Sequence, residues 1–246
     1  MGEGTVRAGK TIGGDLMENL QLTLTLGSGV ALGHPWINGE GLIERLALID
    51  AKGREYDRFV AELDESGPRD LRAEGIVDTG LAYTDDIAHA SASQFSTDQS
   101  ATTTLYSSYD EVRAHSVGGS RPRSKIPIGG GAFKSQMIDV RYRPARYCWF
   151  YVRGKRDRIK ALLTDHLTDL GKHTARGFGK VEDWALTELQ ADTSLVHPDG
   201  LAMRPIPTGR LDEWSESSTL TYKTPYHYQR WATECAPPGA EVEPGW

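Results

Sequence analysis

Gly171-Lys172-His173-Thr174-Ala175-Arg176-Gly177-Phe178-Gly179-Lys180 is the stretch whose reading decides the fold. Ten positions hold three glycines, three permanent cations, a histidine and an aromatic residue. Ile159, Leu162, Leu163, His166, Leu167 and Leu170 precede it at helical spacing, so the clearest helix of the chain runs into it. Gly171 then falls where a helix cap needs a left-handed residue. Lys172 and His173 fall where the C-terminal dipole favours cations. Val181 to Leu189, with Trp184 and Leu186, reads as a strand leaving the loop. Glycines permit positive φ and close backbone approach, and freed amides in such a turn form an anion-binding nest. Lys172, Arg176 and Lys180 add charge, while Phe178 either stacks on a base or anchors the loop in the core. The competing reading is a helix cap and a β-turn with incidental charge. Nucleotide-hydrolase loops do not match. Val181 follows Gly179-Lys180 where a Walker A loop needs Ser or Thr, and Thr174 stands at its first glycine; Glu182 stands at the last glycine of a GxGxxG.

Working outward, Tyr147-Cys148-Trp149-Phe150-Tyr151-Val152 is β-branched and aromatic on both faces and predicts a central strand ended by Gly154. Leu20-Gln21-Leu22-Thr23-Leu24-Thr25-Leu26 alternates strictly, as a half-buried strand does. Leu42, Ile43, Leu46 and Ile49 predict a helix from Gly39 or Glu40 to Ile49. Residues 64–145 read as a large β-rich insertion, with a strand at Met137 to Tyr142 and β-propensity over Thr102 to Tyr109. Met1 to Glu18 reads as a flexible leader or a cloning remnant, with Met17 as a natural start. Residues 191–246 are rich in Pro, Gly and Trp and predict an irregular tail wrapping over a core domain at 19–190. Supplying one missing strand gives an α+β domain of order βαββαβ, the ferredoxin-like or RRM-like arrangement. Such folds commonly bind RNA on a four-stranded sheet.

With 38% hydrophobic and 25% charged residues, the 246-residue chain has globular composition. No apolar run approaches the ~18–20 residues of a membrane span, and no signal-peptide core appears, so a cytoplasmic protein without membrane contact is expected. Cys148 and Cys235 leave one disulfide open and exclude a disulfide framework or a CxxC zinc pattern. The formal net charge is −6, but residues 121–180 hold 15 Lys+Arg against 4 Asp+Glu. That is +11, leaving 13 − 30 = −17 elsewhere. A basic middle in an acidic chain is either an electrostatic footprint for nucleic acid or a solvated face paired with acids elsewhere in the fold.

The run Leu170 to Val181 resembles the Gly-rich loop of the CRISPR-associated RAMP superfamily, which follows the second helix of a ferredoxin-like domain. Leu22–Leu26 and Val30-Ala31-Leu32-Gly33-His34-Pro35-Trp36-Ile37, leading into Gly41-Leu42-Ile43, are similar to the start of the type IV effector subunits that cap the 5′ handle of the CRISPR RNA (crRNA). Arg204-Pro205-Ile206-Pro207 and Pro225-Tyr226 also suit that group. The resemblance spans about Met17 to Cys235, with its motifs at the two ends; residues 64–145 match none and stand where such subunits carry a thumb. It implies a subunit that holds the crRNA 5′ handle, seats the adjacent backbone subunit, assembles with large and small effector subunits, and approaches target DNA near its protospacer-adjacent motif. The implied RNA contacts are Gly171, Lys172, His173, Thr174, Arg176, Gly177, Phe178, Gly179 and Lys180. Arg121, Arg123, Lys125, Lys134, Arg141, Arg143 and Arg146 join them as a basic cluster.

Some relatives cut precursor RNA, and His173 with Lys172 and Tyr147 or Tyr151 supplies a base, a charge stabiliser and an acid on paper. A dipole-favoured cap accounts for His173 equally well, and His166 fits a core histidine. No HxxxH, HD or DxD grouping supports a metal, and Asp85-Asp86 is a lone acidic pair. The expectation is therefore a protein without catalytic residues, cofactor or metal. A metal-independent crRNA-processing endoribonuclease and a protein-interaction module are the alternatives.

Overall fold

A computed structural model describes residues 16–66, 69–107, 136–224, 226 and 231–246. The chain is a mixed α+β protein. β1 (Met17–Leu26) leads through β2 (Val30–Ala31) into α1 (Gly39–Lys52) and α2 (Tyr56–Ser66). A short pair follows, β3 (Tyr83–Thr84) with β4 (Ile87–Ala88), then β5 (Gln94–Phe95) and the hairpin β6 (Ala101–Ser107) and β7 (Gln136–Arg143). β8 (Tyr147–Lys155), α3 (Arg156–His166) and β9 (Val181–Glu188) complete the principal layers. β10 (Ile206–Pro207), β11 (Leu211–Trp214), β12 (Ser218–Thr221), β13 (Ala232–Ala236) and β14 (Val242–Pro244) form the C-terminal part.

The main sheet has the order β5-β8-β1-β9, and every neighbouring pair is antiparallel. Alternation on β1 puts Leu20, Leu22, Leu24 and Leu26 on one buried face. Cys148, Phe150 and Val152 of β8 are buried on the same side. Leu42, Ile43, Leu46 and Ala47 of α1 and Ile159, Leu162 and Leu163 of α3 close this core. Each fully buried leucine contributes about 1.5–3 kcal/mol. Among the described residues no helix covers the opposite face of the sheet. β8 is central, as expected, but its outward residues remain at least partly accessible.

Several boundaries differ from expectation for local reasons. β1 opens at Met17, two residues inside the expected leader. α1 continues past Ile49 to Lys52, where Gly53 adopts φ +51 and donates to the Ile49 carbonyl. Gly154 does not end β8. It pairs with Glu18, and its missing Cβ lets the Gly80 carbonyl come close. The second strand of the main sheet is the two-residue β5, within the segment read as an insertion. Ahead of it the chain runs along the β8 edge, with Ala82 donating to Arg153 and Ser91 to Tyr151, both at 2.8 Å. The β6–β7 hairpin joins β2 in a separate three-stranded sheet.

The C-terminal part carries short strands between irregular stretches. It forms sheets β10-β13-β12 and β11-β14 around Ala202, Ile206, Leu211, Ala236, Ala240 and Val242. The prolines that suggested irregular chain flank or sit in short strands. Arg204 fastens this part to the main layer. Its side chain is 1% exposed and donates to Glu40 Oε2 (3.1 Å), the Tyr226 hydroxyl (3.1 Å) and the carbonyls of Ala88 and Tyr222. The Tyr226 hydroxyl in turn donates to Glu40 at 2.6 Å. A second tie joins Thr84 Oγ1 to His89 Nε2 (2.7 Å), His89 Nδ1 to Asp192 (2.6 Å) and Ser194 Oγ to Asp192 (2.5 Å). Burial alone would raise the Asp192 carboxyl, but the bonds from His89 and Ser194 bring it down to about 2. Cys148 and Cys235 are both buried free thiols, which closes the disulfide left open by the sequence. Among the described residues no helix is long and apolar enough to cross a membrane.

Candidate nucleic-acid interface

The Gly-rich loop owes its position to an early helix end. α3 stops at His166 because Leu167 is extended (φ −83°, ψ 105°). Asp169 then bridges Lys180, Leu170 N–H donates to the Gly179 carbonyl (2.8 Å), and Val181 N–H donates to Thr168 (3.0 Å). Leu170 is buried as the spacing requires, but it arrives in extended chain. Gly171 is therefore not the helix cap, and Lys172 and His173 lie away from the helix dipole. The left-handed expectation itself holds: Gly171, His173, Gly177 and Gly179 all have positive φ.

Two of those glycines answer to the protein's own backbone. A Cβ on Gly171 would strike the Ala31 carbonyl, and one on Gly179 the Leu170 carbonyl. The loop is sewn to the β1–β2 connection. Lys172 N–H donates to Ala31 (2.8 Å), Gly179 N–H to Gly29 (2.9 Å) and Lys180 N–H to Ser28 Oγ (3.0 Å). These amides are spent on anchoring, so the expected nest of freed amides is not formed there. Phe178 resolves in favour of anchoring too. Its ring packs edge-on against Tyr142 of β7 (5.6 Å, 61°) and against His173 (6.5 Å, 65°).

What the loop offers outward is charge. Lys172, His173, Arg176 and Lys180 are exposed. Elsewhere in the basic quarter four arginines are compensated at close range: Arg143 by Asp98 (3.8 Å), Arg146 by Glu182 (3.0 Å), Arg156 by Glu18 (3.2 Å) and Arg158 by Asp50 (2.9 Å). The solvated-face reading is correct for those arginines. Among the described residues no carboxylate comes within ion-pair distance of Lys172, Arg176 or Lys180. Lys172 Nζ lies against Gly33, where any Cβ would collide with it.

Two clefts flank the 32–35 loop. One, of about 360 Å³, runs between Leu32, Trp36 and Arg45 on one side and Gly171, Lys172 and Thr174 on the other. The second, of about 270 Å³, lies between His34 and the hairpin residues Ser100, Arg141 and Arg143. Arg141 donates to Ser100 Oγ (3.0 Å), and the Arg143 guanidinium sits over the Phe95 ring at 5.1 Å. The structure thus gathers Lys172, Thr174, Arg141 and Arg143 around one loop. Arg146 is instead held at the start of β8 by the Leu26 carbonyl (3.0 Å) and Glu182. Arg121, Arg123, Lys125 and Lys134 lie outside the described residues.

Sequence reasoning passed over Trp36 and Arg45 as site residues. An aromatic after His34-Pro35, between a strand and a helix, was the available signal; nothing marked Arg45. Its guanidinium lies 3.5 Å from Asp169 Oδ1, an oxygen with no hydrogen-bond partner. Among the described residues no hydrogen bond joins His173 to Tyr147 or Tyr151, and no three metal-ligating side chains gather at one point. Comparison with protein-family models and with curated proteins finds no match to this chain.

Proposed function

We propose that the chain is a non-catalytic RNA-binding subunit of a type IV CRISPR effector complex. It holds the crRNA 5′ handle in the cytoplasm and seats the adjacent backbone subunit. Its principal layer is read as a ferredoxin-like domain. That reading is supported by the order strand, helix, strand, strand, helix, strand of β1, α1, β5, β8, α3 and β9, in an antiparallel sheet of order β5-β8-β1-β9. The β6–β7 hairpin takes the place of the thumb that meets the neighbouring subunit, and target DNA passes near the same basic edge.

One observation carries the functional reading. Lys172, Arg176 and Lys180 are exposed and, among the described residues, without carboxylate partners, on a loop anchored by backbone bonds beside a 360 Å³ cleft. Cations kept free of internal pairing on a fixed backbone suit phosphate contacts, which position a nucleic acid without reading its sequence. The test is the salt dependence of binding to labelled handle RNA. The double variant Lys172→Glu, Arg176→Glu should bind at least about tenfold more weakly, and its log–log salt slope should be shallower by ~1.4, two single-strand phosphate contacts at ~0.7 each. Affinity and slope equal to wild type would overturn the reading.

A further inference from the structure

The face of the main sheet that no described helix covers carries a row of side chains that the loop does not use. Along β8, Tyr147, Trp149, Tyr151 and Arg153 alternate with the buried Cys148, Phe150 and Val152, so they share the outer face. Tyr147 is 43% exposed, and its ring stacks on Trp149 at 6.3 Å with 27° between planes. The neighbouring strands border this row with hydrogen-bonding groups. Gln21, Thr23 and Thr25 of β1 stand opposite Tyr151, Trp149 and Tyr147, and Gln94 of β5 stands opposite Trp149 on the other side.

That composition selects an occupant. A packed helix or a second protein core needs aliphatic cover, and this face offers aromatic planes rimmed by amides and hydroxyls. Nucleobases need a π-face to stack on and in-plane partners at their edges. The charge is also polarised along the row. Arg153 continues it with 44% of its side chain exposed, touching Asp192 only at 3.9 Å. Asp183, opposite Thr25, lies at the far end. Rungs on one face of a strand recur about every 6.6 Å. That is about twice the ~3.4 Å spacing per nucleotide of a stacked strand, so a strand lying here is splayed, one base to a ring.

We propose that this face is a stacking platform for two or three consecutive bases of a single-stranded nucleic acid, with a backbone phosphate at the Arg153 end. The proposal rests on the RNA-binding reading above and adds a second contact surface to it.

Stacking and charge contacts separate experimentally, because stacking releases no counterions. With the full chain and a fluorescent oligouridine, Trp149→Ala and Tyr147→Ala should each weaken binding about 5- to 100-fold while leaving the salt slope unchanged. Trp149→Phe should retain most of the affinity. Thermal unfolding of each variant, expected close to wild type for these accessible positions, distinguishes lost contacts from lost fold. Photo-crosslinking with 5-iodouridine oligonucleotides should place adducts on Tyr147, Trp149 or Tyr151. Binding that requires Lys172 and Arg176 yet ignores Trp149→Ala, with crosslinks confined to the Gly-rich loop, overturns the platform and leaves the loop reading intact. Self-association abolished by Trp149→Ala without change in RNA affinity assigns the face to a second copy and also overturns it. A wild-type chain that binds no oligonucleotide overturns both.

Discussion

Glu44 on α1 accepts the Thr224 hydroxyl at 2.5 Å. Burial raises its carboxyl from 4.5 to about 7, outweighing the lowering effect of that bond. The folded state therefore keeps the proton up to about pH 7, while the unfolded chain releases it near 4.5. The stabilisation this gives is complete below pH 4.5 and is lost as the pH rises through about 7. Glu44→Gln keeps an acceptor for Thr224 and removes the titration. It should melt several degrees above wild type at pH 8, about 2–3 kcal/mol, and with wild type at pH 4.5, a comparison differential scanning calorimetry makes directly. Asp192 works in the opposite sense: its contribution is present above its ordinary value of 3.8 and fades as the pH falls through about 2. Neither environment was legible in the sequence. Glu44 lies among helical charges, and Asp192 reaches His89 across 103 positions. Residue types fix what a group can do, whereas its pKa depends on neighbours that only the fold supplies.

At the scale of elements, periodic segments were legible and junctions were not. The alternating leucines of β1 and the apolar stripes of α1 and α3 predicted the core because burial requires those periods. The stripe of α3 misled at its end, since Leu170 satisfies a helical spacing and an extended one equally. β5, at two residues, is too short to leave a period at all. In the Gly-rich loop, a glycine kept for a ligand and a glycine kept for the protein's own carbonyls look alike in one sequence. Gly179 belongs to the second kind, having φ +67 and the Leu170 carbonyl where its Cβ would be. Gly179→Ala should detach the loop from the β1–β2 connection and cost about 2–4 kcal/mol in denaturant unfolding. Gly177→Ala, with φ +88 but open space around it, should cost about 1 kcal/mol. Equal losses at the two positions would show that strain alone sets the cost.

For the molecule as a whole, the acidic remainder meets the basic quarter from several directions at once. Glu18, Asp50, Asp98 and Glu182 each take one of its arginines. This is why a local charge count overstated the footprint, and why the loop cations stand out once the pairs are drawn. The deepest of the ties that hold the C-terminal part is the cluster around Arg204. Arg204→Met removes the cation and leaves Glu40 buried with the Tyr226 hydroxyl as its remaining donor among the described residues, so about 3–5 kcal/mol of stability should be lost. Limited proteolysis should then cut first after β9, where the C-terminal part departs from the main layer; cleavage beginning within β1 or β8 would contradict this anchoring role.

The burial of the two thiols has a practical corollary. Cys148 is 0% exposed within the main core and Cys235 is 0% exposed beside the C-terminal one. Burial raises both thiols, Cys235 to about 11, so neither supplies thiolate near neutral pH while the chain is folded. Each core therefore contains its own chemical clock. Alkylation of Cys235 ahead of Cys148 would time the release of the C-terminal part, and a cysteine placed on the Gly-rich loop would take a label without competition.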